Sequence, residues 1–320
     1  MCTAVSTKEF FGRNLDLETS FGEGVLVVPN NYILHFKNGD AINHHYAMIG
    51  IGIEVGGYPL YYDAINEKGL GMAGLNFPYY ALYKVKDGKK SISSFEFIPF
   101  ILSQAQSAED AKSLIDKIAI SNDAFSETMQ PSPLHWLIGD REKSIVVEST
   151  AMGLNVYDNP IGVMTNSPPF PFQEFALNNY ISLSKEVPEN KFSSNLDLKV
   201  YSRGMGALGL PGDLSSQSRF IKASFTKMNY VYDENKDNAL SDYMHILSSV
   251  EQQRGLVDVN GKYEITIYSS AGERDRGIYY YKSYENSQIR AVKLTEENMR
   301  QSTLSFYPMN KKLSPVFENQ

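Results

Sequence analysis

The second residue of this 320-residue chain is its only cysteine. Methionine is readily trimmed before a small side chain, so Cys2 can become the first residue of the mature chain. It would then carry a thiol and a free α-amine on one residue. The reference pKa of an α-amine, ~7.7–8.0, lies well below that of lysine and leaves an appreciable unprotonated share at neutral pH. Such an amine can accept the thiol proton and later give it to a leaving amine, as N-terminal amines do for threonine nucleophiles, with no histidine involved. A free thiol at ~8.5 is only a few per cent ionised at neutral pH, and a neighbouring arginine raises that share. The competing reading is a small buried hydrophobe in a strand. Position alone does not separate the two.

Other chemistry-bearing residues are ambiguous one at a time. Gly12-Arg13-Asn14-Leu15-Asp16 reads as strand, and its period puts Arg13 and Leu15 on one face and Asn14 and Asp16 on the other. Both Arg13 and Asp16 reach Cys2 only if the strand ends or bulges there. Otherwise they form an ordinary ion pair. Asn76, two residues before Pro78, and Asn166, before Ser167-Pro168-Pro169, read as turn asparagines, and Arg219 as a solvated arginine at a helix start. His35, His44, His45, His135 and His245 leave a cysteine–histidine hydrolase open, which masking of the α-amine would distinguish. One cysteine permits neither an intramolecular disulfide nor a cysteine zinc cluster. His44-His45 has no carboxylate at ligand spacing, so neither a metal nor another cofactor is expected.

The elements that must position these residues begin as β structure. Thr3–Thr7 and Phe10–Leu17 flank a Lys8-Glu9 turn, and Gly24–Pro29, Tyr46–Val55, Tyr58–Ala64 and Leu70–Phe77 are further strand-like runs. Ser93–Gln104 is apolar at helical spacing, and Ser107-Ala108-Glu109-Asp110 resembles a capping box opening a helix over Ala108–Ile118. Strands return at Leu134–Gly139, Ser144–Ser149 and Gly153–Tyr157. Helices are expected at Phe172–Leu183, Ser216–Asn229 and Leu240–Gln253, then strands at Tyr263–Ser269, Gly277–Ser283 and Gln288–Leu294. The polar stretch Asp233–Asn238 reads as an exposed loop. Strands, helices, then strands, without βαβ alternation, indicate an α+β fold of antiparallel sheets with helices outside, as one domain over residues 1–320.

The apolar fraction of 42% and charged fraction of 21% suit a globular chain with a sizeable core. A net charge of −7 argues against nucleic acid or an anionic membrane as partner, while one local arginine still suffices for a small anion. No stretch approaches the ~20 apolar residues of a membrane span. The N-terminus lacks a basic segment followed by an apolar one, so a cytoplasmic location is expected.

Taken together, several segments resemble the choloylglycine hydrolase family, which contains bile salt hydrolases and penicillin V acylases. They are Met1-Cys2-Thr3-Ala4, Phe11–Asp16, Asn66–Pro78, Pro133–Trp136, Val163–Pro168, Gly209–Phe220, Ser248–Gln253 and Tyr268–Ser270, in order along nearly the whole chain. The resemblance implies an αββα sandwich, two antiparallel sheets between helical layers, and a homotetramer with an assembly arm within about 187–211. It maps a catalytic set onto Cys2, Arg13, Asp16, Asn76, Asn166 and Arg219. Cys2 would be nucleophile and, through its amine, base. Arg13 would stabilise the thiolate and Asp16 would orient the α-ammonium. Asn76 would donate to the oxyanion, Asn166 help fix the amine, and Arg219 add positive potential. An asparagine at position 76 favours the bile salt branch, typical of Gram-positive gut bacteria. The implied reaction is hydrolysis of the amide of glycine- or taurine-conjugated bile acids through a thioester, with amine acyl acceptors as possible second partners. Penicillin V acylase activity and a non-enzymatic bile-acid or lipid carrier are the alternatives. Such a substrate needs an apolar trough and a polar mouth. Phe21, Met48, Phe77, Tyr79, Phe125 and Leu134 are trough candidates, each equally readable as core. Arg203, in Ser202-Arg203-Gly204-Met205-Gly206, is the candidate for the anionic end, or else an arm residue.

Overall fold

The computed structural model describes residues 1–84, 88–231 and 236–319, without the side chains of residues 236 and 237. Fourteen strands build two sheets. In chain order they are β1 (Cys2–Ser6), β2 (Phe10–Leu17), β3 (Gly24–Val28), β4 (Met48–Val55), β5 (Tyr58–Asn66), β6 (Gly71–Asn76) and β7 (Leu134–Gly139). There follow β8 (Ser144–Thr150), β9 (Gly153–Asp158), β10 (Val163–Met164), β11 (Ile265–Glu273), β12 (Ile278–Ser283), β13 (Arg290–Lys293) and β14 (Ser305–Pro308). The first sheet runs β10-β1-β2-β11-β12-β13 and the second β9-β8-β7-β6-β5-β4-β3-β14, and all pairings within them are antiparallel.

Strands buried on both faces read as continuous apolar runs, and β1, β3 and much of β4 and β6 do so. Their alternate side chains fill two cores. One lies between the sheets and continues under the helices of the first sheet, with Phe11, Leu15, Ile49, Ile65, Leu75, Leu137 and Phe220. The other lies outside the second sheet, where Leu26, Met48, Tyr61, Met72 and Trp136 meet α1 (Phe97–Leu102) and α2 (Ala108–Ile115). The first sheet is covered by α4 (Ser216–Asn229) and α5 (Lys236–Ser248), and α3 (Phe170–Ala176) lies between β10 and α4 in the chain. The result is the αββα order expected from the resemblance.

The sheets approach closely where glycine allows it. A Cβ on Gly71 would sit 2.2 Å from the Phe11 ring, and one on Gly272 2.7 Å from Ile65. Helix starts follow local chemistry. Ser107 accepts from the Asp110 N–H at 3.1 Å, but Asp110 returns its carboxylate to Gln106 rather than to Ser107, so the expected box is open on one side. That helix ends at Ile115, and Ile118 begins a short parallel ribbon with residues 90–93. The helix expected at Phe172–Leu183 begins two residues earlier, at the Pro169 cap, and tightens to a 3-10 turn over Leu177–Tyr180. Of the expected loop Asp233–Asn238, residues 233–235 lie outside the described residues, and helix has begun by Lys236.

Candidate active site

Cys2 opens β1, between β10 and β2, and is buried. Its Cα pairs with Leu15, and the period divides its neighbours. On the opposite face of β1, Thr3 Oγ1 accepts from Arg219 Nη1 of α4 at 2.7 Å, and Asn14 of β2 donates to the Leu247 carbonyl of α5. Cys2, Ala4, Arg13 and Leu15 therefore face the second sheet, while Thr3, Asn14 and Asp16 face the helices.

Arg13 reaches across the sandwich. Its Nη1 donates to the carbonyls of Gly74 at 2.6 Å and Tyr62 at 3.1 Å, and its Nε lies 3.4 Å from the Asn14 carbonyl. Its Nη2 is buried with no protein partner. Burial alone would lower the Arg13 pKa, but the negative charges available at Cys2, Tyr268, Asp63 and Asp16 together raise it.

Asp16 lies at the amine end of the cysteine. Its backbone N–H donates to the Met1 carbonyl at 2.9 Å, and its Oδ1 accepts from Thr266 Oγ1 at 2.6 Å. Oδ2 is 3.8 Å from Arg219 Nη1 and otherwise unpartnered. Burial pushes this carboxyl above the usual range, against the pull of Arg219, the N-terminal ammonium and Thr266. No bulge in β2 is needed to bring Arg13 and Asp16 to one residue. The strand end suffices, because the thiol leaves one face while the main-chain nitrogen lies at the terminus. The partner strand β11 does shift register, between Thr266 and Tyr268, opposite Asp16 and Leu15.

Asn166 ties the site together. Its Oδ1 accepts from the Cys2 N–H at 2.7 Å and from Arg219 Nη2 at 2.8 Å, and its Nδ2 donates to the Asn76 carbonyl at 2.7 Å. Arg219 is fully buried in the first turns of α4, giving Nε to the Leu214 carbonyl and Nη1 to the Cys2 carbonyl and Thr3. Burial lowers its pKa, opposed by Asp16, Cys2 and Glu264. Asn76 ends β6 with its side chain exposed. The solvated helix arginine and turn asparagine readings thus fail for Arg219 and Asn166, which are buried and bonded to the Cys2 backbone.

The trough candidates divide. Phe21 (62% exposed) and Tyr79 (97%) are accessible, on the loops after β2 and β6. Met48 is fully buried in the outer core, so it faces away from Cys2. Phe77 is also fully buried, its ring parallel to His135 at 4.2 Å, and serves as packing. Phe125 packs on Phe95 and Tyr58, and Leu134 on the outer core. Arg203 is exposed in the segment before Leu210 and makes no hydrogen bond or ion pair to the cluster among the described residues. A cleft of about 570 Å³ opens at the far end of β1, among Lys8, Asp140, Lys143 and Lys227. It touches none of the six catalytic candidates, so cavity size does not identify the site.

Several contributors carried no sequence signal of their own. Glu264 holds the Met1 ammonium, which also donates to the Asp16 carbonyl at 2.6 Å. Ser216 Oγ accepts from the Asn166 N–H, and the Gln173 side chain holds the Asn166 carbonyl. Both ring nitrogens of His135 are engaged by groups other than Cys2. One ring nitrogen contacts the Thr165 carbonyl at 2.8 Å and the other Glu148 at 3.1 Å, so it braces the segment that carries Asn166. His45 is bonded to two carbonyls, and His35, His44 and His245 are exposed. A cysteine–histidine pair is therefore not formed among the described residues.

Residues 2–307 match the model of the linear amide C–N hydrolases, choloylglycine hydrolase family. This chain belongs to that family. A bile salt hydrolase/transferase of Lactiplantibacillus plantarum is 52% identical over 97% of both chains, and one of Clostridium perfringens is 39% identical over 98% of both. A crystal structure of a mutant conjugated bile acid hydrolase from Clostridium perfringens superposes with a TM-score of 0.91 at 38% identity, covering all of both chains. Penicillin V acylase from Agrobacterium tumefaciens, at 19% identity and a TM-score of 0.73 over 96% of this chain and 90% of its own, shares the fold. As a choloylglycine hydrolase family member, the chain is a hydrolase of linear amides on an N-terminal-nucleophile fold. No helix among the described residues is long and apolar enough to cross a membrane.

Proposed function

We propose that the chain deconjugates glycine- or taurine-conjugated bile acids, with Cys2 as an N-terminal nucleophile exposed by removal of Met1. The observation that carries the mechanism is a pair of buried atoms without a hydrogen bond on the two sides of Cys2: Arg13 Nη2, and Asp16 Oδ2, which has only Arg219 Nη1 at 3.8 Å. A buried polar group without a partner costs about 1–3 kcal/mol, more when charged, so two at one residue argue for chemistry that satisfies them. A thiolate would take the first and an α-ammonium the second. With Met1 in place the Cys2 nitrogen is an amide, a donor to Asn166 that cannot act as a base.

The α-amine takes the thiol proton, and the thiolate attacks the amide carbon. Asn76, exposed at its strand end, donates its side-chain N–H to the oxyanion. The C–N bond breaks as the leaving amine takes the proton from the α-ammonium, leaving a thioester on Cys2. Water then gives a proton to the amine and attacks the thioester. The bile acid leaves, and the thiolate recovers the proton. A primary amine in place of water would give acyl transfer. The names of the relatives and the exposed rings of Phe21 and Tyr79 support a steroid-bearing substrate.

We read residues 1–320 as one catalytic domain, acting in the cytoplasm as a homotetramer. Exposed Val187, Phe192, Leu196, Leu198 and Tyr201, in a segment without regular structure, support an assembly arm within 187–211. Arg203 fits that arm better than the substrate mouth, having no bond to the cluster. Light scattering would test the assembly, with a monomer refuting the arm. The test of function is release of glycine or taurine from a conjugated bile acid, with intact mass measured on the same material. Active protein should begin at Cys2, and full turnover by chain retaining Met1 would sink the mechanism. Binding of bile acid without release would make the protein a carrier.

A further inference from the structure

Asp63 lies on β5 inside the inter-sheet core, fully buried, and no step of the reaction uses it. Three hydroxyls converge on its carboxylate. Tyr268 donates to Oδ1 at 2.5 Å, Ser270 to Oδ2 at 2.8 Å, and Tyr279 to Oδ2 as well. All three donors are neutral. The cluster connects to Arg13 on two sides. Ser270 Oγ accepts the Arg13 backbone N–H at 3.0 Å while giving its own proton to Asp63. The carbonyl of Tyr62, the residue just before Asp63, accepts from Arg13 Nη1.

We propose that Asp63 is a positioning residue for Arg13: it holds the arginine through Ser270 and the β5 backbone, and its charge limits the positive potential that Arg13 presents to Cys2. This rests on the reading of Cys2 as nucleophile. The limit matters because nucleophilicity falls with the basicity of the sulfur, so a thiolate held too strongly by cations attacks poorly. Asp63 is faced by Arg13 from β2, Tyr268 from β11, Tyr279 from β12 and Tyr243 from α5, and Cys2 by Arg13 and by Arg219 from α4. Burial pushes the Asp63 carboxyl up, while Arg13 and the three hydroxyls hold it down. Loss of a hydroxyl therefore favours the neutral acid and mimics, weakly, loss of the charge.

The test is the pH profile of iodoacetamide alkylation in the processed full-length protein, where Cys2 is the only thiol. It reads the sulfur without substrate, so its outcome is separate from whether bile acids are the substrate. In Asp63→Asn the alkylation midpoint should move down by about one pH unit through loss of a nearby negative charge. Turnover should fall roughly tenfold with KM within about twofold, the pattern of an interaction used only in the transition state. Tyr279→Phe should shift the midpoint in the same direction by less. Tyr243→Phe, which loses an equally buried hydroxyl bonded instead to the Val5 carbonyl, should leave it in place. A midpoint in folded Asp63→Asn that stays fixed or moves up overturns the proposal. Should that variant not fold, a Tyr279→Phe profile no different from that of Tyr243→Phe overturns it equally.

Discussion

The two sides of Cys2 are built differently. The thiol side belongs to the sheets: Arg13 comes from β2, its anchors from β5 and β6, and both Arg13 and Cys2 are buried. The amine side is assembled from four distant stretches of chain, at Asp16, Asn166, Arg219 and Glu264, joined by hydrogen bonds rather than by packing. One side offers a buried donor and the other a buried acceptor, neither with a hydrogen bond among the described residues. On the proposed mechanism, one residue would hold both nucleophile and base because the sheet separates the surroundings of its thiol from those of its nitrogen.

The largest expected effect is common to both sides. Cys2→Ala should reduce turnover by more than ~10³-fold with circular dichroism unchanged, since a nucleophile has no substitute. Residual hydrolysis of a few per cent in a clean preparation would count against it. The next pair tests the division itself. Arg13→Gln should lower turnover by ~10²-fold or more and slow Cys2 alkylation at pH 7, because it removes the cation on the thiol side. Asn166→Ala should lower turnover comparably, by ~10²-fold, yet leave alkylation nearly unchanged, because it loosens the amine. Equal effects on alkylation would erase the distinction.

Phe77 sharpens the boundary between packing and substrate contact. Phe77→Ala should cost about 3–5 kcal/mol of stability in denaturant unfolding, the usual range for a buried phenylalanine. Phe21→Ala should instead raise KM for a conjugated bile acid while leaving stability within about 0.5 kcal/mol, as for an exposed site. A reversed pattern would move the trough inward. The smallest effect concerns α4, which carries Arg219. Asp213 accepts from the Ser215 N–H at 2.9 Å and from the Ser218 hydroxyl at 2.6 Å, and these bonds lower its pKa to about 2. A depressed carboxylate stabilises above its unfolded pKa of ~3.9, and that contribution is lost as pH falls toward the folded value. Asp213→Ala should therefore melt slightly below wild type at pH 7, and the gap should close between about pH 4 and pH 2. A constant gap would assign the loss to something other than the charge.

The elements were legible in the residues themselves, the site only through the combined resemblance. Helix Ser216–Asn229 ends where its pattern ends, and Cys2, Asp16, Asn166 and Arg219 form one bonded cluster with the Asn76 carbonyl. Met48 was readable both as trough and as core, and the structure gives the core reading, for a definite reason. β4 is buried on both faces along Met48–Gly52, so no polar side reveals which alternate residues face the partner sheet and which the outer helices. Asp63 did leave a trace: a carboxylate inside the apolar run Tyr58–Ile65 needs donors, and the hydroxyl-rich Tyr268–Ser270 and Tyr279 supply them. Glu264 left none, since its partner is the chain terminus itself.

The interior position of β1 has a consequence for biosynthesis. This strand is made first, but β10 closes it on one side only after residue 164, and β11 covers β2 only after residue 273. At ~5–20 residues per second, tens of seconds pass before both neighbours exist. Once they do, the Met1 ammonium is held by Glu264 and the Asp16 carbonyl, with the next peptide N–H on Asn166. Met1 itself is only half-buried, but an aminopeptidase would have to break these bonds to engage it. On the role proposed for Cys2, trimming of Met1 is therefore expected to be easiest on the ribosome-bound chain, and chain folded with Met1 in place is expected to be processed slowly.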